Sequence, residues 1–132
     1  MLKVEKVYHM GIPVNDIDRA QAFYTKVLGM QFMDRVGSKQ KLDRLKCGPD
    51  DVVVLFERPA AHTWDPLAQD GVAHQAFEMD IASYDEALET IQEMGLFRTI
   101  EDRESGKTIY LFDPEGNHLE LHFAKHKAGA AV

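Results

Sequence analysis

Three side chains of this 132-residue chain, His9, His74 and Glu120, are of the types that would make up the ligand set of a divalent metal site. Two imidazoles and one carboxylate hold an ion while leaving coordination positions open for chemistry. An internal repeat ties them together. His9 and His74 stand 65 positions apart, and the same shift lays Asn15-Asp16-Ile17 on Asp80-Ile81-Ala82 and Leu28-Gly29-Met30 near Met94-Gly95-Leu96. It also lays Gly48-Pro49-Asp50-Asp51 on Asp113-Pro114-Glu115-Gly116 and, with no insertion, Leu55 on Glu120. Two copies of one small unit are expected to pack around a pseudo-two-fold axis, where equivalent residues converge.

The elements that must position these residues follow from periodicity. Met10, Ile12 and Val14 alternate with His9, Gly11 and Pro13, which predicts a strand. Pro13 ends that strand or marks an edge. A helix follows, with Asp16 as N-cap, an apolar stripe of Ile17, Ala20, Phe23-Tyr24 and Val27-Leu28, and Gly29 as its stop. Strands are expected near Gln31–Val36, Lys41–Lys46 and Val52–Glu57. The second copy repeats the order: a strand over His74–Asp80, a helix opened by the capping box Ser83-Tyr84-Asp85-Glu86 and stopped by Gly95, then strands near Phe97–Glu101, Thr108–Phe112 and His118–Phe123. The fold class is therefore α+β, two βαβββ modules whose curved sheets form a barrel-like site. Module one spans 7–57, a linker 58–71, module two 72–124 and a tail 125–132, all within one domain.

Side-chain alternation sends Leu119, Leu121 and Phe123 to the helix-covered face. His118, Glu120 and His122 take the opposite face with His9, His74 and Glu78, joined by Thr108 and Tyr110. Val53 and Leu55 are expected to line the apolar side of the same cavity.

Bulk composition narrows the function. Asp plus Glu number 22 against 15 Lys plus Arg, a formal charge of −7, which argues against a nucleic-acid partner. The single Cys47 excludes an intramolecular disulfide framework and fits a reducing compartment. The N-terminal residues carry no secretory signal, and no apolar run reaches a membrane span of roughly 18 residues. A cytoplasmic protein with no membrane partner is expected.

The motifs now in view resemble the vicinal oxygen chelate superfamily: glyoxalase I, fosfomycin-resistance enzymes, extradiol dioxygenases and bleomycin-binding proteins. The resemblance rests on His9, on Ala22-Phe23-Tyr24-Thr25-Lys26-Val27-Leu28-Gly29-Met30, and on Asp113-Pro114-Glu115-Gly116-Asn117-His118-Leu119-Glu120-Leu121, and runs from His9 to Phe123. It implies the glyoxalase/bleomycin resistance/dihydroxybiphenyl dioxygenase fold, with metal ligands His9, His74 and Glu120 and a divalent metal, Fe2+ or Mn2+ ahead of Zn2+ or Ni2+. Glyoxalases add a fourth ligand from the last strand of module one, which here is the apolar Val54-Leu55-Phe56. Fosfomycin-type thiol transferases share the three-ligand set and a Tyr110-like residue, and the segment from Arg103 to His122 resembles theirs, but they place a threonine where Gly11 stands and a phosphonate-gripping lysine near Ile100. Extradiol dioxygenases carry a tyrosine ten residues before the glutamate, matched by Tyr110, and an acid–base histidine, for which His62 is the candidate.

Two function classes remain open. One is a metal-dependent enzyme acting on a small molecule with two adjacent oxygens, with a dioxygenase ahead of a thiol transferase or hydrolase, and both ahead of a glyoxalase I-like lyase. The other is a metal-free protein that sequesters a small molecule, as bleomycin-binding relatives do. The retained His/His/Glu set favours the enzyme, with Tyr110 and His62 as catalytic residues. Each module exposes an open curved sheet that must pair to enclose a site, and the linker 58–71 is long for a connection inside a compact domain. With the resemblance to glyoxalase-like proteins this predicts a homodimer whose modules pair across chains, the rival being both modules of one chain around one site. His118 and His122 are pocket walls in this reading, and Glu78 either orients a ligand histidine or is a surface charge.

Overall fold

The computed structural model describes residues 1–37, 40–58 and 74–125. The chain divides into two compact units, Met1–Trp64 and Asp65–Val132. The proposed linker lies almost wholly outside the described residues, as does the tail beyond Lys125.

In the first unit, β1 (Met10–Val14) leads to α1 (Ile17–Ala22), then β2 (Gln31–Val36), β3 (Leu42–Cys47) and β4 (Asp51–Glu57). The sheet order is β1-β4-β3-β2, with β1 parallel to β4 and the other pairs antiparallel. Pro13 sits in an edge strand, where a missing N–H costs no ladder bond. Asp16 caps α1 by accepting from the Arg19 N–H at 3.0 Å. The helix then widens into one π-helical turn over Phe23–Val27. The wider turn brings two consecutive aromatics inward, so Phe23 and Tyr24 are both buried and meet edge to face at 5.2 Å. Gly29, at φ 76°, ends the turn.

The second unit repeats the plan: β5 (Gln75–Met79), α2 (Tyr84–Glu93), β6 (Phe97–Asp102), β7 (Gly106–Phe112) and β8 (His118–Ala124), in the order β5-β8-β7-β6. Strand periodicity places Phe77, Ile109, Leu111, Leu119, Leu121 and Phe123 in the core. Each such side chain contributes roughly 1.5–3 kcal/mol by leaving water.

Four expectations need correction. The helix of the second unit is not opened by a capping box. Ser83 makes no side-chain cap; a 3-10 turn over Ile81–Ser83 precedes α2, and the Asp80 carboxylate caps that turn by accepting from Ala82 N–H. Asp80 is well placed because its extended backbone aims its carboxylate at the first free N–H. The two histidines do not open strands either: His9 and His74 each stand one residue before one. The module alignment is also off by one. Gly11 pairs with Val54, whereas its counterpart Ala76 pairs with Glu120, so the second unit holds one extra residue between the paired strands. Val54, not Leu55, is the counterpart of Glu120. Finally, Val53 and Leu55 do not line a polar-side cavity. They pair with Met10 and Ile12 on the face that α1 covers, and Leu55 and Ile12 are fully buried.

Candidate metal centre

The second sheet presents a compact polar cluster on the face away from its core. Local structure explains why these side chains meet. The turn Asp113-Pro114-Glu115-Gly116-Asn117 folds β8 back along β7. The Asp113 carboxylate accepts the N–H groups of Glu115 and Asn117 at 2.8 Å each and the Asn117 side-chain amide at 3.0 Å, and Gly116 takes φ 86°. That hairpin sets Tyr110 directly opposite Glu120 and Thr108 opposite His122. The parallel pairing of β5 with β8 then brings the residue before β5 alongside the start of β8.

His74 Nε2 lies 3.1 Å from Glu120 Oε1. The Glu120 side chain is only 20% exposed, and that of His74 34%. A carboxylate withdrawn from water this far is costly without a hydrogen-bonding or cationic partner. Two donors each about 2.1 Å from one ion, at a right angle, are separated by about 3 Å. The pair stands at hydrogen-bond distance, a spacing that ligation of a single ion would also allow. A neutral imidazole nitrogen and a carboxylate oxygen also suit a divalent cation of borderline or hard character.

His118 is buried beneath this pair. Its ring lies 5.7 Å from that of His74, stacks on Tyr110 at 5.8 Å, and touches Phe112 at 5.5 Å. His122 Nδ1 is 3.1 Å from Thr108 Oγ1. Glu78 pairs with His122 on the same face but is exposed. Burial raises the Tyr110 phenol above its ordinary pKa, helped by the Glu120 and Glu101 charges and opposed by Arg103 and Arg98. The phenol therefore stays a hydrogen-bond donor at neutral pH.

His9 belongs to the first unit. It is exposed, and its ring sits against Tyr8 at 5.1 Å and Phe56 at 6.2 Å. Phe56 also covers Gly11: a Cβ there would stand 3.0 Å from the Phe56 ring. A threonine at this position would press on that ring. His62 lies outside the described residues. Among the described residues, no three His, Cys, Asp or Glu side chains gather into a metal-holding group. The second unit alone therefore brings together two of the expected ligands.

Sequence reasoning passed over Arg98. Its Nη1 donates to His118 Nε2 at 2.8 Å, and its guanidinium stands 6.0 Å from the Phe112 ring centre. No motif announces it, because a β-bulge between Phe97 and Thr99 breaks the alternation there.

This arrangement can be set beside known proteins. Residues 6–121 match the Glyoxalase/Bleomycin resistance protein/Dioxygenase superfamily. The chain belongs to this superfamily. A glutathione transferase, FosA of Serratia marcescens, is 23% identical over 129 residues, covering 98% of this chain and 88% of the relative. A lactoylglutathione lyase of Salmonella typhimurium is 30% identical over 128 residues, covering 91% and 93%. A variant of the fosfomycin resistance protein FosX from Listeria monocytogenes, crystallised with Mn(II) and dihydroxypropylphosphonic acid, superposes with a TM-score of 0.71 at 20% identity, covering 93% of each chain. The fold is that of the superfamily, α+β with two four-stranded sheets. No helix among the described residues is long and apolar enough to cross a membrane.

Proposed function

We propose that the protein is a divalent-metal-dependent enzyme acting on a small molecule that offers two adjacent oxygens. The observation that carries this reading is the 3.1 Å approach of His74 Nε2 to Glu120 Oε1 on a half-buried sheet face, with Tyr110 across from Glu120. His74 and Glu120 hold the ion, and His9 is the third protein ligand, from the same chain or from a second copy in a homodimer. Bound there, a divalent ion supplies a Lewis acid for vicinal oxygens. Tyr110 donates a hydrogen bond from its protonated phenol to a substrate oxygen, and His62 is the proton carrier. The metal is Fe2+ or Mn2+ in this reading. The apolar Val54 at the counterpart of Glu120 speaks against a fourth protein ligand and hence against a glyoxalase I-like lyase.

Among three-ligand chemistries, Tyr110 suits a dioxygenase and a thiol transferase alike, and the absence of a threonine at Gly11 and of a lysine at Ile100 puts the dioxygenase first. Similarity to FosA over 98% of the chain favours a thiol transferase as the second reading. Elemental analysis of untagged protein, purified without added metal, tests the metal. Stoichiometric Fe or Mn that is lost in Glu120→Gln is expected; metal-free protein with unaltered small-molecule binding would make it a sequestering module instead. Oxygen consumption with a catechol then selects the dioxygenase, and consumption of a thiol without oxygen selects the transferase.

A further inference from the structure

The cluster around His74 and Glu120 contains one more feature that the metal reading leaves unused. In β6, Phe97 pairs with Leu111 and Thr99 with Tyr110, so Arg98 is the extra residue of the bulge. A bulge re-aims its side chain out of the ordinary alternation. Here it turns Arg98 onto His118, the buried ring that also touches His74 and Tyr110. Arginine can only donate, so His118 Nε2 accepts and offers the guanidinium no countercharge. Of the two arginines whose charges act on Tyr110, Arg103 is ion-paired with Glu101. Arg98 makes no ion pair with Asp or Glu among the described residues. Arg98 is an exposed residue, and its fork carries further N–H donors beyond the one that His118 accepts. In a chain of net charge −7, Arg98 is thus an anchored guanidinium without a carboxylate partner among the described residues.

We propose that Arg98 is a specificity-determining residue of this site and recognises an oxyanion, a carboxylate or a phosphate-like group, carried by the substrate. The inference rests on the metal-enzyme reading for the site, and adds the class of molecule that the site takes. His118 acts as the brace: it fixes the guanidinium plane from one side, so that its free edge meets two oxygens of an anion side by side.

The test uses the full chain, as purified and again after EDTA, with inorganic phosphate and acetate as separate probes. Arginine side-chain N–H resonances are followed by NMR. Saturable shifts at Arg98 are expected in both states. Arg98→Gln is expected to weaken binding of the preferred probe by about tenfold or more, Arg98→Lys by less, and Arg103→Gln by no more than about twofold. Tighter binding of acetate assigns a carboxylate, and tighter binding of phosphate assigns a phosphate-like group. Arg98 shifts that do not saturate or that vanish with EDTA, or an anion affinity measured by calorimetry that is unchanged in Arg98→Gln, overturn the proposal, since the anion would then be on the metal or nowhere in particular. Mn(II) titration separates the two readings. Arg98→Gln should bind Mn(II) like the parent. A parent that ignores Mn(II) yet binds anion at Arg98 defeats the metal reading and keeps the oxyanion site.

Discussion

The two sheets share one strand order and bury matching residues, Ile12 with Leu55 in the first and Phe77 with Leu121 in the second. Their other faces are chemically unlike. In the first sheet the cross-strand row reads Val54, Arg44, Asp34, and the Arg44–Asp34 pair closes on itself at 2.6 Å. In the second, the corresponding row reads Glu120, Tyr110, Thr99. Both sheets also carry a bulge in the same strand, between Phe32 and Asp34 and between Phe97 and Thr99. The first bulge presents Met33; the second presents Arg98. Phe56 folds over Gly11 in the first sheet, whereas His118 supports His74 in the second. A scaffold fixed by its helix-side residues thus leaves the opposite face free to differ. The second copy gathers His74, Glu120, Tyr110 and His118 on its open face, and His9 stands exposed just before the first strand of the other.

The comparison predicts equal costs where the sheets match. Leu55→Ala and Leu121→Ala should each destabilise the fold by about 2–5 kcal/mol, because each empties a fully buried position against a helix-covered core. Urea unfolding measures both. A cost below about 1 kcal/mol for Leu55→Ala would show that it lies on the open face after all.

Where the sheets differ, so should the effects. Glu120→Gln is expected to lower Mn(II) affinity by more than roughly 100-fold, beyond what loss of an outer partner does. Its counterpart change, Val54→Ala, should leave Mn(II) affinity within about twofold. Equal losses in both variants would mean that the ion is held elsewhere. The source of the third ligand is tested by mixing His9→Ala with Glu120→Ala chains. Recovery of metal binding on mixing indicates a site shared between two copies, and no recovery indicates a site within one chain.

Much of this was legible from residue order. Alternation in β7 and β8 assigned every residue from Thr108 to Leu111 and from His118 to Phe123 to its face, because both strands bury one side completely. Asp16 and Gly29 bounded the first helix because capping and positive φ are local demands. The failures were of two physical kinds. A single extra residue in the second unit shifts register by one, and in a sheet that exchanges faces, so Leu55 was read for Val54. The bulge at Arg98 has no local signature, since it comes from the pairing of two strands and not from the sequence of either. The π-helical turn at Phe23–Val27 was hidden for a similar reason: its two adjacent aromatics fit a wide helical stripe equally well.

A smaller contrast concerns Tyr110, whose counterpart Arg44 sits in an exposed ion pair. Burial, then Glu120 and Glu101, raise the Tyr110 phenol above its ordinary pKa of 10.0. In the unfolded chain the phenol ionises first, so the folded state holds more protons above pH 10. Its contribution to stability is therefore complete below pH 10 and is lost as pH rises through the raised value. The phenolate absorbance difference between parent and Tyr110→Phe should appear only above pH 10. In the metal-free protein, Glu120→Gln should move that step downward by removing a like charge. A difference spectrum that rises below pH 10 would leave Tyr110 as an ordinary surface tyrosine.

The smallest effect tests the sameness of the two copies. Gly29 and Gly95 end the helices of their units at φ 76° and 72°, and a Cβ added at either meets nothing within 4 Å. Alanine there carries no steric clash with neighbours and only the left-handed backbone penalty, about 1 kcal/mol at each site. The two costs should agree within about half a kcal/mol, since both sites carry the same backbone penalty. Urea unfolding of the single variants and of the double variant checks both the equality and the sum. If Gly95→Ala cost several times more than Gly29→Ala, the helix ends would not be equivalent. The asymmetry would then reach the scaffold that carries His74 and Glu120, and would not be confined to the open face.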